Sequence, residues 1–197
     1  PDPDYTPDRA RSLPALAAAR GVSLADVYID VMLASQGTAF INHPHLNPTF
    51  EAVEEMLSDP MVVLGLADSG AHVGQIMDAS QPTWLLSYWV RKRGLFGIEE
   101  AIRRLTSDTA SLFGISDRGR LAPGARADVN IIDFDRLRLH MPDFVHDFPA
   151  GAGRLVQKAD GYDYTLVNGQ VFMEGGEHTG ALVGELLRSG VDLRARA

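Results

Sequence analysis

The sequence predicts an α/β protein in which helices surround a buried parallel strand, followed from about residue 119 by a small β domain. Three observations predict it. Residues 50–57 carry a helical apolar face (Phe50, Val53, Leu57), and Asp59-Pro60 ends it. Met61-Val62-Val63-Leu64-Gly65-Leu66 then forms the short, continuous apolar run of a strand buried on both faces, and a helix followed by such a strand is the repeating unit of a parallel sheet. Further on, Asn168-Gly169 separates two β-rich runs, 164–167 and 170–173, which is the signal of a hairpin on a type I′ turn.

The elements follow in order. Thr6-Pro7 suits a helix start, and Leu13, Leu16 and Ala17 give an i, i+3, i+4 stripe, although Pro14 argues for a break or a late start. Gly21 ends that helix. Ser23-Leu24-Ala25-Asp26 resembles a capping box with Asp in the usual Glu position, and Val27, Val31 and one of Met32 and Leu33 are expected to face inward from the next helix. Asn47-Pro48 opens a third helix. After the apolar run, a helix begins near Pro82, carries Trp84, Leu85, Tyr88 and Trp89 as core residues, and closes on Arg91-Lys92-Arg93-Gly94. Basic residues and a glycine complement a helix C-terminus. Shorter helices are expected at 98–105 and 108–113. Pro123-Gly124 marks a turn, 128–133 a strand, and 139–153 a long ordered loop.

Composition excludes several function classes. The chain has 197 residues, 18 Lys plus Arg against 26 Asp plus Glu, and a formal net charge of −8. An acidic balance argues against a nucleic-acid partner, which needs basic surface to replace counterions, and against anionic membranes. No apolar run reaches the length of a membrane span. The acidic start Pro1-Asp2-Pro3-Asp4 predicts no signal peptide. Cysteine is absent, which excludes thiolate metal ligands and Cys nucleophiles and is compatible with the expected cytoplasmic location.

The strongest chemical feature is Gly65-Leu66-Ala67-Asp68-Ser69-Gly70-Ala71-His72. Functional groups gather at the C-terminal ends of strands in α/β sheets, and Asp68 ends the apolar run. A carboxylate there binds a metal, moves a proton, or caps the following turn. His72 lines a site or is a hydrogen-bonded loop residue. In Asn42-His43-Pro44-His45 two histidines one residue apart would share a face on a strand, but Pro44 favours a loop, so loop or substrate contact is the stronger expectation. His140, His146 and His178 are scattered, and no familiar zinc spacing occurs. Gly-rich dinucleotide and phosphate loops and a Gly-x-Ser-x-Gly elbow are absent.

The order of these features resembles a known family. It comprises the strand, Gly65 to His72, the Pro82 helix, Leu105-Thr106-Ser107-Asp108-Thr109-Ala110, and the run from Gly119 through Pro123-Gly124 and Ala127-Asp128 to Asp133. Val167-Asn168-Gly169-Gln170-Val171 completes it. This pattern resembles the C-terminal part of the amidohydrolase superfamily, most of all its N-acyl-D-amino-acid deacylase (D-aminoacylase) branch. The resemblance implies a (β/α)8 barrel with a small β-sandwich domain. Residues 1–118 would supply the last barrel units and 119–197 the C-terminal sandwich strands. A complete barrel takes about 250 residues, so this chain is expected to hold only part of one.

The resemblance further implies hydrolysis of a C–N amide bond with one or two divalent metals, commonly Zn2+. Asp68 matches the acid of the eighth strand, which serves as general base and metal ligand. His72, Ser69 and His45 would border the pocket. The implied partners are a small-molecule N-acyl amino acid and the N-terminal remainder of the same enzyme, which would carry the other metal ligands. The His-x-His of such enzymes belongs to the first strand, so His43-Pro44-His45, one βα unit before Asp68, is not its counterpart. Two alternatives stay open: a non-catalytic amidohydrolase-like interaction module, and an amidohydrolase acting on a cyclic amide or by deamination.

Overall fold

The computed structural model describes residues 3–43, 46, 47, 49–75 and 79–187. The chain divides into two compact units, one over Asp4–Met56 and one from Leu57 onward.

The first unit is helical. A 3-10 turn, Arg9–Arg11, is capped by Asp8, and α1 (Leu13–Arg20) starts on Ser12, whose hydroxyl accepts from the Ala15 amide. Pro14 therefore falls in the first turn, where its missing N–H costs nothing, and the late start holds. Thr6 caps no helix; its amide donates to Asp4 Oδ1. Gly21 ends α1 in the left-handed conformation, φ +67°. The capping box of α2 (Leu24–Ala34) is formed as expected. The Ser23 hydroxyl accepts from the Asp26 amide, and the Asp26 carboxylate accepts from the Ser23 amide at 3.1 Å. Of the residues expected to face inward, Val27 is buried and Val31 and Met32 are partly so, whereas Leu33 is exposed. The next helix, α3 (Phe50–Ser58), lies on the expected apolar pattern; Pro48, named above as its opening, is outside the described residues.

The second unit departs from the sequence reading at its start. Residues 61–66 form no strand, and Met61 and Leu66 are each 88% exposed. A strand needs a neighbour for its amides and carbonyls. Among the described residues none pairs with this segment, so its apolar pattern has no sheet to enter.

Further along, α4 (Gln81–Trp84) widens into π-helical turns over Leu85–Lys92, burying Leu85, Leu86 and Trp89. Trp84 stacks on Tyr88 at 4.5 Å, so the aromatic group is packing, as expected from its spacing. The run α5 (Ile98–Arg103), a π-helical stretch Arg104–Asp108, and α6 (Thr109–Leu112) join the two expected short helices. The Arg104 guanidinium ties this run down: it bonds Glu100 at 2.8 Å, donates to the Leu57 carbonyl at 2.8 Å, and lies 4.5 Å over the Phe96 ring.

Among the described residues eight strands follow. An antiparallel sheet has the order β1 (Val129–Ile132), β6 (Tyr162–Val167), β7 (Gln170–Glu174), β8 (Glu177–His178). Its β6–β7 turn is the expected one, with Asn168 at φ +51° and Gly169 at +78°. Two small pairs complete the set: β2 (Arg138–Leu139) with β5 (Ala159–Asp160), and β3 (Asp143–Val145) with β4 (Arg154–Val156). The segment expected as a loop over 139–153 is thus half of a hairpin. Arg91 staples the Trp helix to this region, donating to the Asp135 and Leu137 carbonyls at 3.2 and 2.6 Å beside fully buried Leu137. Gly161, φ +92°, lets β6 pass close to the Leu137 backbone.

No helix among the described residues is long and apolar enough to cross a membrane.

Candidate functional site

Asp68 begins two consecutive tight turns. The Ala71 amide donates to the Asp68 carbonyl at 3.1 Å, and the Gln75 amide to the His72 carbonyl at 2.7 Å. Asp68 itself has φ +52°, in the left-handed region that costs most side chains energy and that Asp tolerates better than most. A non-glycine residue held there is a recurrent mark of functional sites. Asp68, Ser69 and His72 are all exposed. Among the described residues, no side-chain hydrogen bond or ion pair engages any of the three. The alternative that the Asp68 carboxylate caps the turn is therefore not what the structure shows; its carbonyl closes the turn and its carboxylate is left to solvent.

The two turns are held from behind by the β3–β4 hairpin. The Leu155 amide donates to the Val73 carbonyl at 2.8 Å, and the Phe144 ring stands near Gly74, where an added Cβ would meet it at 3.8 Å. Within the hairpin the Arg154 guanidinium clamps the Asp147 carboxylate with two bonds of 2.7 Å. That clamp holds the Asp147 carboxyl below the usual range for aspartate, chiefly through the hydrogen bonds. His146 Nδ1 donates to the Gly151 carbonyl at 3.0 Å, since a carbonyl can only accept. This hairpin is the part of the site that sequence reasoning missed. The available signal was the pair of apolar dipeptides Phe144-Val145 and Leu155-Val156 on either side of a Pro149-Ala150-Gly151 turn.

The remaining candidates separate. His45 lies outside the described residues, and its neighbour His43 is exposed in the other unit. His140 pairs with Asp160 at 2.8 Å, and His178 accepts the Gly180 amide at 2.8 Å, so both serve the β region. Among the described residues no three His, Asp or Glu side chains gather into a group able to hold a metal ion. A divalent metal needs several converging ligands, and the one carboxylate on the Asp68 turn does not make such a site.

Comparison with known proteins places this geometry. The model of a family described as the amidohydrolase family matches residues 5–173. An uncharacterized protein of Mycobacterium tuberculosis is 29% identical over 96% of this chain and 33% of its own length. N-acyl-D-glutamate deacylase of Alcaligenes xylosoxydans is 45% identical over a shorter stretch, 27% of this chain and 11% of the enzyme. The crystal structure of D-aminoacylase superposes with a TM-score of 0.51 at 24% identity, over 88% of this chain and 34% of that one, which is a likeness of fold. Another structure of that enzyme, similar to this chain to the same extent, addresses the role of its binuclear metal centre. The chain thus spans about a third of the length of the mycobacterial protein and of D-aminoacylase. The ordered features from the Asp68 turn to the Asn168-Gly169 hairpin, and a family match over most of the sequence, show that the chain belongs to the amidohydrolase family.

Proposed function

We propose that the protein to which this chain belongs hydrolyses a C–N amide bond and deacylates N-acyl amino acids, those of D configuration in particular. Asp68 serves as its general base. The observation that carries the reading is the Asp68 carboxylate itself. It is exposed, engaged by no side chain among the described residues, and held at φ +52° at the end of the apolar run. The likeness to D-aminoacylase and the local identity to N-acyl-D-glutamate deacylase support the substrate class.

In this reading the Asp68 carboxylate removes a proton from the attacking water as its oxygen bonds to the amide carbon. The same proton passes to the departing nitrogen as the C–N bond breaks, giving a carboxylic acid and an amine, between which the remaining water proton moves to leave a carboxylate and an ammonium ion. Ser69 and His72, on the same turns, border the bound substrate. Zn2+ is the metal this reading calls for. The described residues do not assemble its site, so its ligands beyond Asp68 are assigned to other parts of the protein.

Asp68→Asn is the informative variant, because Asn also accepts the left-handed backbone while removing the base. We expect kcat to fall by about a hundred-fold or more, with an unchanged circular dichroism spectrum. A panel of N-acyl D- and L-amino acids assayed on the intact protein tests the substrate class. Turnover retained in the variant would remove Asp68 from the mechanism, and no turnover of any panel member would remove the deacylase reading.

A further inference from the structure

We propose that Phe144 is a positioning residue for the loop over 68–75, acting from the β3–β4 hairpin without touching the reacting groups. The catalytic consequence rests on the deacylase reading above; the positioning itself rests on geometry.

Phe144 pairs directly with Leu155 across the hairpin. The two residues meet consecutive positions of the loop: the Leu155 amide bonds the Val73 carbonyl at 2.8 Å, and the Phe144 ring borders Gly74, where the space for a Cβ ends at the ring, 3.8 Å away. Val73 and Gly74 lie inside the second tight turn, which the Gln75 amide closes on the His72 carbonyl. That turn follows directly on the one that begins at Asp68. Holding Val73 and Gly74 therefore sets the direction in which His72 and Asp68 leave the hairpin. A 1 Å misplacement of such groups is enough to cost about a hundred-fold in rate.

The ring has a seat that keeps it there. Gly153 lies against it so closely that any Cβ at 153 would overlap the ring and come within 3.2 Å of the His146 ring. Gly153 does not adopt a positive φ, so the requirement for glycine is one of space. His146 packs edge-on to Phe144 at 5.2 Å and is itself anchored through Nδ1 to the Gly151 carbonyl. The Arg154–Asp147 clamp closes the far side of the hairpin. Phe144 is nevertheless 40% exposed, more than expected of a residue that only fills a core.

Two variants of the intact protein test this. Phe144→Ala removes the ring, and Gly153→Ala keeps the ring but displaces it. Amide hydrogen exchange is followed over 68–75 and, as reference, over the β6–β7 hairpin, together with kcat, KM and the pH–rate profile. Both variants are expected to speed exchange over 68–75 by about ten-fold or more while β6–β7 is unchanged. They are also expected to lower kcat by about ten-fold or more with KM within about three-fold, and to shift the acid limb of the pH–rate profile. Unchanged exchange over 68–75 in both variants overturns the proposal. So does a rise spread equally over β6–β7, which marks general destabilisation. If the parent protein hydrolyses no N-acyl amino acid, the deacylase reading fails while exchange still decides whether Phe144 holds the loop.

Discussion

At the scale of single residues, two side chains show how local chemistry reads in opposite ways. Asp68 was legible because an acid ending an apolar run is unusual in itself, and the backbone then held it at a conformation that few residues adopt. Phe144 was illegible because its effect lies on Val73 and Gly74, some seventy residues earlier in the chain. Tyr162 belongs to the second kind. Its hydroxyl meets Thr83 Oγ1 at 2.8 Å, and burial raises its pKa, an effect that the Thr83 bond only partly offsets. A tyrosine whose pKa is raised on folding adds stability at pH values below that of an unfolded tyrosine, about 10. It loses that contribution as pH rises through the folded value. Tyr162→Phe should therefore cost about 1 kcal/mol near pH 8 through the lost hydrogen bond, and the two proteins should converge in stability above about pH 10. Urea denaturation at pH 8 and at pH 10.5 measures this; a gap that widens at the higher pH contradicts it.

Among the elements, the start of α2 was the most legible, because its capping box is a contact between residues three apart; the start expected at Thr6 was not found, and α1 is capped by Ser12 instead. Ser23 and Asp26 satisfy each other's amides as their spacing predicts. Ser23→Ala should lower stability by about 1 kcal/mol, and Ser23→Thr by much less. Denaturation midpoints of the two variants check the order, and equal midpoints would argue that the cap adds nothing. Strands were less legible. The Asn168-Gly169 hairpin was found because its turn residues demand positive φ, and both have it. The β3–β4 hairpin was read as loop because its strands are three residues each, too short for alternation to stand out. The run 61–66 failed for the opposite reason. Its pattern is that of a strand, yet pairing depends on a neighbour that the sequence of the strand does not contain.

For the whole molecule, the decisive quantity is how much of a family member the chain represents. It matches the amidohydrolase family over residues 5–173 but spans about a third of the length of the mycobacterial protein and of D-aminoacylase. The unpaired run 61–66 agrees with that share. The 197-residue chain alone is expected to bind Zn2+ only weakly, since a lone exposed carboxylate supplies one ligand of the four that zinc prefers. Isothermal titration decides it. Stoichiometric nanomolar binding that survives Asp68→Ala would show a metal site elsewhere in this chain.

The sequence by itself determined the Ser23–Asp26 capping box, the type I′ hairpin, the acid at the end of the apolar run and the likeness to one family. All of these depend on residues close together in the chain or on their order along it. The tertiary structure alone decided the partners: the hairpin behind the Asp68 turns, the seat of Phe144 against Gly153, and the solvent-facing state of residues 61–66. Those contacts join residues far apart in sequence, where no local spacing specifies which surfaces meet.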